Sequence, residues 1–239
     1  MVVLTSLTAA IYAAILIPFK GIPIIPGITE IRPANAIPVA FGLMFGPAGA
    51  WGSAMGNLIG DFFGTLTPGS IFGFIGNFFY GFVGYKIWGR LWPISSGIDP
   101  GARSGKQLFE YIIVALLSSS ICALIIGWGV ELLGLFPFGF IGGIIIINNS
   151  LAAILLGPPL IWLLYPRVAR WDLLWTEIMD KKDRSHQISP RIGSLFLIIA
   201  GLGGMITGML ITWGVLQGIG IVPALAPFLL LLIIGALLV

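Results

Sequence analysis

Between Ile192 and Val239 the chain carries no Asp, Glu, Lys, Arg or His, and residues 33–60, 62–85, 111–130 and 132–166 are equally free of charge. A helix needs about 20 consecutive, mostly apolar residues to cross the hydrocarbon of a bilayer, and each of these runs reaches that length. The composition points the same way: 58% hydrophobic and 9% charged residues, against roughly 45–50% and about 25% in soluble domains. The runs lack the in-out alternation of a membrane β-barrel. The expected fold is therefore all-α, a polytopic integral membrane helical bundle. A net charge of +3 is then no nucleic-acid footprint, and what matters is where the charges fall.

The breaks between apolar runs give eight candidate spans. The first, 2–19, lacks the basic start and small-residue cleavage site of a signal peptide and is read as a retained helix. The proline-rich stretch KGIPIIPGITEIRP separates it from a short helix at 34–45. The GPAGA turn leads to a third helix at 50–66, TPGS to a fourth at 70–91, a polar loop to a fifth at 107–135, and PFGFIGG to a sixth at 140–165. Apolar stretches at 193–216 and 222–239 complete the set. The expected organisation is a six-helix membrane core over 1–165, a cytoplasmic amphipathic and charged connector over 166–191, and an additional two-helix membrane hairpin over 192–239. In the connector, Val168, Trp171, Trp175 and Ile178 share a helical face, which predicts a helix lying at the membrane interface.

Lysine and arginine favour cytoplasmic loops. With the N-terminus cytoplasmic, Lys86, Arg90, Arg103, Lys106, Arg167, Arg170, Lys181, Lys182, Arg184 and Arg191 all fall inside, leaving Lys20 and Arg32 outside. The long loop 20–33 is then outer, as are the far ends of helices 3 to 6.

Within WGSAMGNLIGDFFG the glycines at 52, 56, 60 and 64 recur every four residues and form a strip for close helix packing. Asn57 and Asp61 share the adjacent face. A charged side chain within a span costs from about 2.5 kcal/mol upward, so it faces a partner or a wet cavity rather than lipid. Other polar groups converge on the same depth: Asn77 on the glycine-rich side of helix 4, Glu131 near the outer end of helix 5, Asn148 and Asn149 in helix 6, and Glu30, Arg32 and Asn35 from the outer loop and the entry to helix 2. They predict a binding pocket open to the outside, with Tyr80 and Trp128 among the aromatics placed to stack on a ring. Three acids against one outer-face arginine favour a neutral or cationic ligand, with asparagines reading the heteroatoms of a thiamine-like or purine-like compound.

Catalytic constellations are missing. The single histidine, His186, lies in the charged segment and the single cysteine, Cys122, in an apolar helix, so no enzyme, metal site or cofactor is expected. GLGGMITG has the glycines of a nucleotide loop without its strand-loop-helix setting. On helix 1, Ala9 with Ala13 and Ala10 with Ala14 form interleaved small-residue pairs, suited to close docking of another helix from this chain or from a partner.

The alanine-rich LTAAIYAA, the long outer loop and the run FGLMFGPAGAWGSAMGNLIGD together resemble the substrate-binding S components of energy-coupling factor (ECF) vitamin transporters, over residues 5–165. That resemblance implies a multi-pass subunit of a prokaryotic inner membrane that captures a micronutrient from outside. It also implies that Ala9, Ala10, Ala13 and Ala14 dock onto a transmembrane coupling protein, which carries two ATPase subunits. The two final apolar stretches depart from the six-helix pattern. An ion-coupled secondary transporter using Asp61 and Glu131, and a non-transporting assembly subunit, are the competing readings.

Overall fold

The computed structural model describes residues 1–25, 29–180, 182 and 188–239. The chain forms the all-helical membrane bundle expected from its apolar runs. Helix α1 spans Val2–Phe19, and a short antiparallel ribbon follows, β1 Pro23–Ile25 paired with β2 Thr29–Glu30. A 3₁₀ turn at Pro33–Ala36 enters α2, Ile37–Phe45. Then come α3 Pro47–Asp61, α4 Ser70–Ile87, α5 Gly105–Leu132, α6 Phe138–Arg170 and the single turn α7 Trp175–Ile178. Helix α8 runs over Pro190–Thr212, with a π-helical turn at Ile199–Gly203, and α9 is Ile221–Leu238.

Five segments are long and apolar enough to cross a membrane: Val2–Phe19, Gly105–Leu132, Phe138–Ile178, Pro190–Thr212 and Ile221–Leu238. Three of the eight expected spans fall outside this set for physical reasons. Helix α2 has nine residues, all buried, and α3 has 15, a rise of roughly 22 Å against a hydrocarbon core of about 30 Å. Helix α4 is diluted by glycines that serve packing. A Cβ on Gly42 of α2 would fall 2.3 Å from the Gly81 carbonyl oxygen of α4, so these two backbones touch where any side chain would separate them.

The glycine strip of α3 receives α1. A Cβ on Gly52 would meet Thr8, one on Gly56 would meet Tyr12, and one on Gly60 would meet Leu16. Helices α8 and α9 lie along α5 and α6, and their Leu197, Ala200, Leu232 and Val239 join the main core. The hairpin is therefore packed into the bundle. The π-helical turn carries the first glycines of GLGGMITG, and Gly201 there abuts Leu117 and Ile121 of α5. That motif is a packing surface.

The connector departs from expectation. The chain breaks after Arg170, with Asp172 at φ +53°, so Val168 and Trp175 belong to separate helical pieces. Trp171 is exposed, while Trp175 lies edge-on to Tyr85 at 5.5 Å and against Gly46. It anchors this segment to the core. His186, Lys181 and Arg184 lie outside the described residues.

Candidate functional site

Helix α3 carries Asn57 and Asp61 one turn apart, turned towards α4, where Gly73 makes room for them: a Cβ there would stand 3.2 Å from Asn57 Nδ2. Arg32, at the end of the ribbon, donates from Nη1 to Asn57 Oδ1 at 3.2 Å. Thr65 donates to Asp61 Oδ1 at 3.1 Å and in turn accepts from Lys20 Nζ at 2.6 Å. Asn57 Nδ2 stands 3.5 Å from Asp61 Oδ2, and Ser70 lines the same cavity wall. Arg32, Asn57 and Asp61 thus form a charge-compensated cluster at the end read as outer.

A second network lies beneath it and is built of neutral groups. Tyr12 Oη of α1 contacts Asn35 Oδ1 at 2.8 Å and Asn77 Oδ1 at 3.2 Å. Asn35 Nδ2 donates to Asn149 Oδ1 at 2.6 Å, and Asn77 Nδ2 to the Gly73 carbonyl at 2.9 Å. Tyr80, fully buried, donates to the Asn149 carbonyl at 2.9 Å. Four elements, α1, the 3₁₀ turn, α4 and α6, therefore meet through side chains that are individually costly to bury and mutually satisfied.

Between the two networks lies a cavity of about 170 Å³. Its polar wall holds Arg32, Asn35, Asn57, Asp61, Asn77, Asn148 and Asn149. Ile126, Val130, Ile141, Ile144 and Ile145 supply the apolar wall, and Thr67, Leu135 and Phe136, all exposed, stand at its mouth. One cation, one carboxylate and a set of amides around an apolar slot suit a small, flat, overall neutral molecule rich in hydrogen-bonding atoms.

Three residues expected in the site, Tyr80, Trp128 and Glu131, are placed elsewhere. Tyr80 sits behind the wall. The Trp128 indole N–H donates to the Val222 carbonyl of α9 at 3.0 Å, because the C-terminal hairpin covers that side of α5. Glu131 accepts from Phe138 N and so caps α6. The side chain of Glu30 lies outside the described part of the molecule. With Glu131 committed to a helix terminus, the described wall balances one arginine against one carboxylate, and the leaning towards a cationic ligand is replaced by neutrality. The sequence reading missed Thr65, Ser70, Tyr12 and Phe136. Thr65 continues the every-fourth-residue stripe of Asn57 and Asp61, which was a usable signal.

The alanine pairs divide. Ala9 and Ala13 are buried, facing the α3 glycines, so they are not available to a partner. Ala10 and Ala14 are exposed on the opposite side, in line with Val3 and Leu7. Among the described residues no three His, Cys, Asp or Glu side chains gather to hold a metal ion.

No curated protein and no solved structure matches the chain significantly. The family model described as QueT transporter matches residues 2–166, a span that contains every residue of the cavity wall. The chain belongs to the QueT transporter family, whose members are S components of the ECF type.

Proposed function

We propose that this protein captures a queuosine precursor from the outer face of a prokaryotic cell membrane, as the substrate-binding subunit of an ATP-driven ECF importer. Queuosine precursors are the ligands of the matched family and contain a deazaguanine base. The observation that carries the reading is the amide-lined cavity between Arg32, Asp61 and the isoleucines of α5 and α6. Its size lies well below the roughly 300–1,000 Å³ of sites for drug-sized ligands, which favours a free base over a nucleoside. A guanine-type edge offers adjacent N–H donors that suit a carboxylate such as Asp61, and a carbonyl oxygen that suits amide or guanidinium donors. Phe136 stands at the mouth, where a ring can cover the base.

The outward face of α1, with Ala10 and Ala14 flanked by Leu7 and Val3, suits close docking of a helix from a coupling protein. Nucleotide hydrolysis would then belong to two ATPase subunits on other chains.

Titration of 7-deazaguanine into the purified protein, with adenine as control, tests the substrate reading. Saturable binding of the first at micromolar concentration or below supports it, and equal binding of both or of neither overturns it. Ala10→Trp tests docking: ligand affinity should be unchanged while uptake by cells, and co-purification of ATPase subunits, is lost.

A further inference from the structure

The three asparagines of the inner network have amide groups whose two ends are nearly the same size, so sterics leave their orientation undecided, and hydrogen bonds decide it. A single residue stands at the head of that decision. Tyr12 presents one O–H, and both asparagines it reaches turn an oxygen towards it, Asn35 at 2.8 Å and Asn77 at 3.2 Å. Each amide nitrogen then points away. Asn77 Nδ2 meets the Gly73 carbonyl, which can only accept, and this fixes Asn77 independently. Asn35 Nδ2 meets Asn149 Oδ1 at 2.6 Å, so the Asn149 nitrogen is directed away from Asn35, and Asn149 lines the cavity. One phenol donor thereby propagates a direction through Asn35 to Asn149, across three separate elements.

We propose that Tyr12 is a positioning residue for substrate selection: its hydroxyl sets the polarity of the amide wall, so that Asn149 offers a donor to the ligand. The proposal rests on the reading of the cavity as the site for a deazaguanine base, and it goes further by assigning a selection to that wall. A ligand carbonyl is accepted there, whereas an amino group in its place would set donor against donor. Two further features fit this role. Tyr12 has no solvent exposure and lies against Gly56 of α3, so its ring is held in place by packing. Its one hydrogen also serves two oxygen acceptors, so a ligand N–H bonded to either oxygen would leave that hydrogen wholly to the other, which strengthens the network only when a base with the right donors is present.

The test compares 7-deazaguanine with its 2,6-diamino counterpart, which replaces the ring carbonyl by an amino group, on the wild type and on Tyr12→Phe. The wild type should prefer the carbonyl compound by at least about 10-fold in Kd. In Tyr12→Phe that ratio should shrink several-fold, because Asn35 and Asn149 lose the donor that holds them. Asn35→Leu cuts the same relay one step downstream and should collapse the ratio equally, which decides the matter if Tyr12→Phe does not fold. Uniform weakening of both ligands with the ratio preserved is what a merely structural tyrosine would give, and it would overturn the proposal. If the wild type binds neither compound, the substrate reading fails. The Tyr12 relay is then judged on the empty protein by a double-mutant cycle of Tyr12→Phe with Asn35→Leu in thermal unfolding. A double variant no less stable than the weaker single one supports the relay, and additive losses overturn it.

Discussion

Two buried carboxylates stand at opposite ends of the bundle, and their surroundings differ in kind. Glu110, at the basic end of α5, is fully buried, and both oxygens accept from a loop: Oε1 from Gly89 N at 2.8 Å, Oε2 from Ser96 N at 2.6 Å and Ser96 Oγ at 2.5 Å. Asp61, in α3 at the other end, is met by side chains, namely Thr65 at 3.1 Å and Asn57 at 3.5 Å. It also faces the cavity. Backbone donors cannot leave Glu110 without refolding residues 89–96. The donors around Asp61 can each turn away by rotating one side chain. The first arrangement closes a structure, and the second leaves a carboxylate able to exchange partners with a ligand.

The contrast is broken most directly at Glu110. Glu110→Ala leaves the Gly89 and Ser96 amides unpaired in a buried site, at a cost of about 3 kcal/mol or more. The expected result is a large fall in the unfolding midpoint in detergent, with the affinity of the protein that does fold unchanged. A loss of affinity at full stability would mean that Glu110 acts on the cavity. At Asp61 the order reverses. Asp61→Asn keeps the shape and an acceptor for Thr65, so stability should move by no more than about 1 kcal/mol, while 7-deazaguanine affinity drops at least about 10-fold. Calorimetry and thermal unfolding on one preparation separate the two. A destabilised variant with intact affinity would make Asp61 a second Glu110.

The sequence held the Asp61 side of this contrast and hid the other. Asn57 and Asp61 are spaced by one helical turn, and helical geometry alone puts them on one face; Thr65 keeps the four-residue spacing just past the end of α3. The charge-free runs likewise dictate helices wherever they are long enough. Glu110, by contrast, takes its meaning from Gly89 and Ser96, in a loop whose path no periodicity encodes. The alanines show the same limit: spacing yields two faces on α1, and only the glycines of α3 decide which face is covered. Depth along α5 places Trp128 at the pocket, whereas its partner Val222 is 94 residues further on, in a hairpin that local patterns cannot position. Phe136 lies between two helices, where no repeat marks it.

Glu131 sharpens the comparison because it lies between the two extremes. Half-buried near the end of α5, it accepts from Phe138 N at the start of α6. That amide is one of the first N–H groups of a helix, which have no partner within it, and the Pro137 before it offers no side-chain cap. The bond is to backbone, as at Glu110, but it is a single one beside solvent, so another acceptor or water can replace it. Glu131→Gln keeps an oxygen for Phe138 N and removes only the attraction between the negative charge and the helix N-terminus, about 0.3–1 kcal/mol. Glu131→Ala removes the bond as well and should cost about 1–2 kcal/mol. Both variants should bind 7-deazaguanine as the wild type does. If Glu131→Gln instead weakens binding without changing the unfolding midpoint, its charge is felt by the ligand, and backbone pairing no longer separates the carboxylates that hold the fold from the one that serves the site.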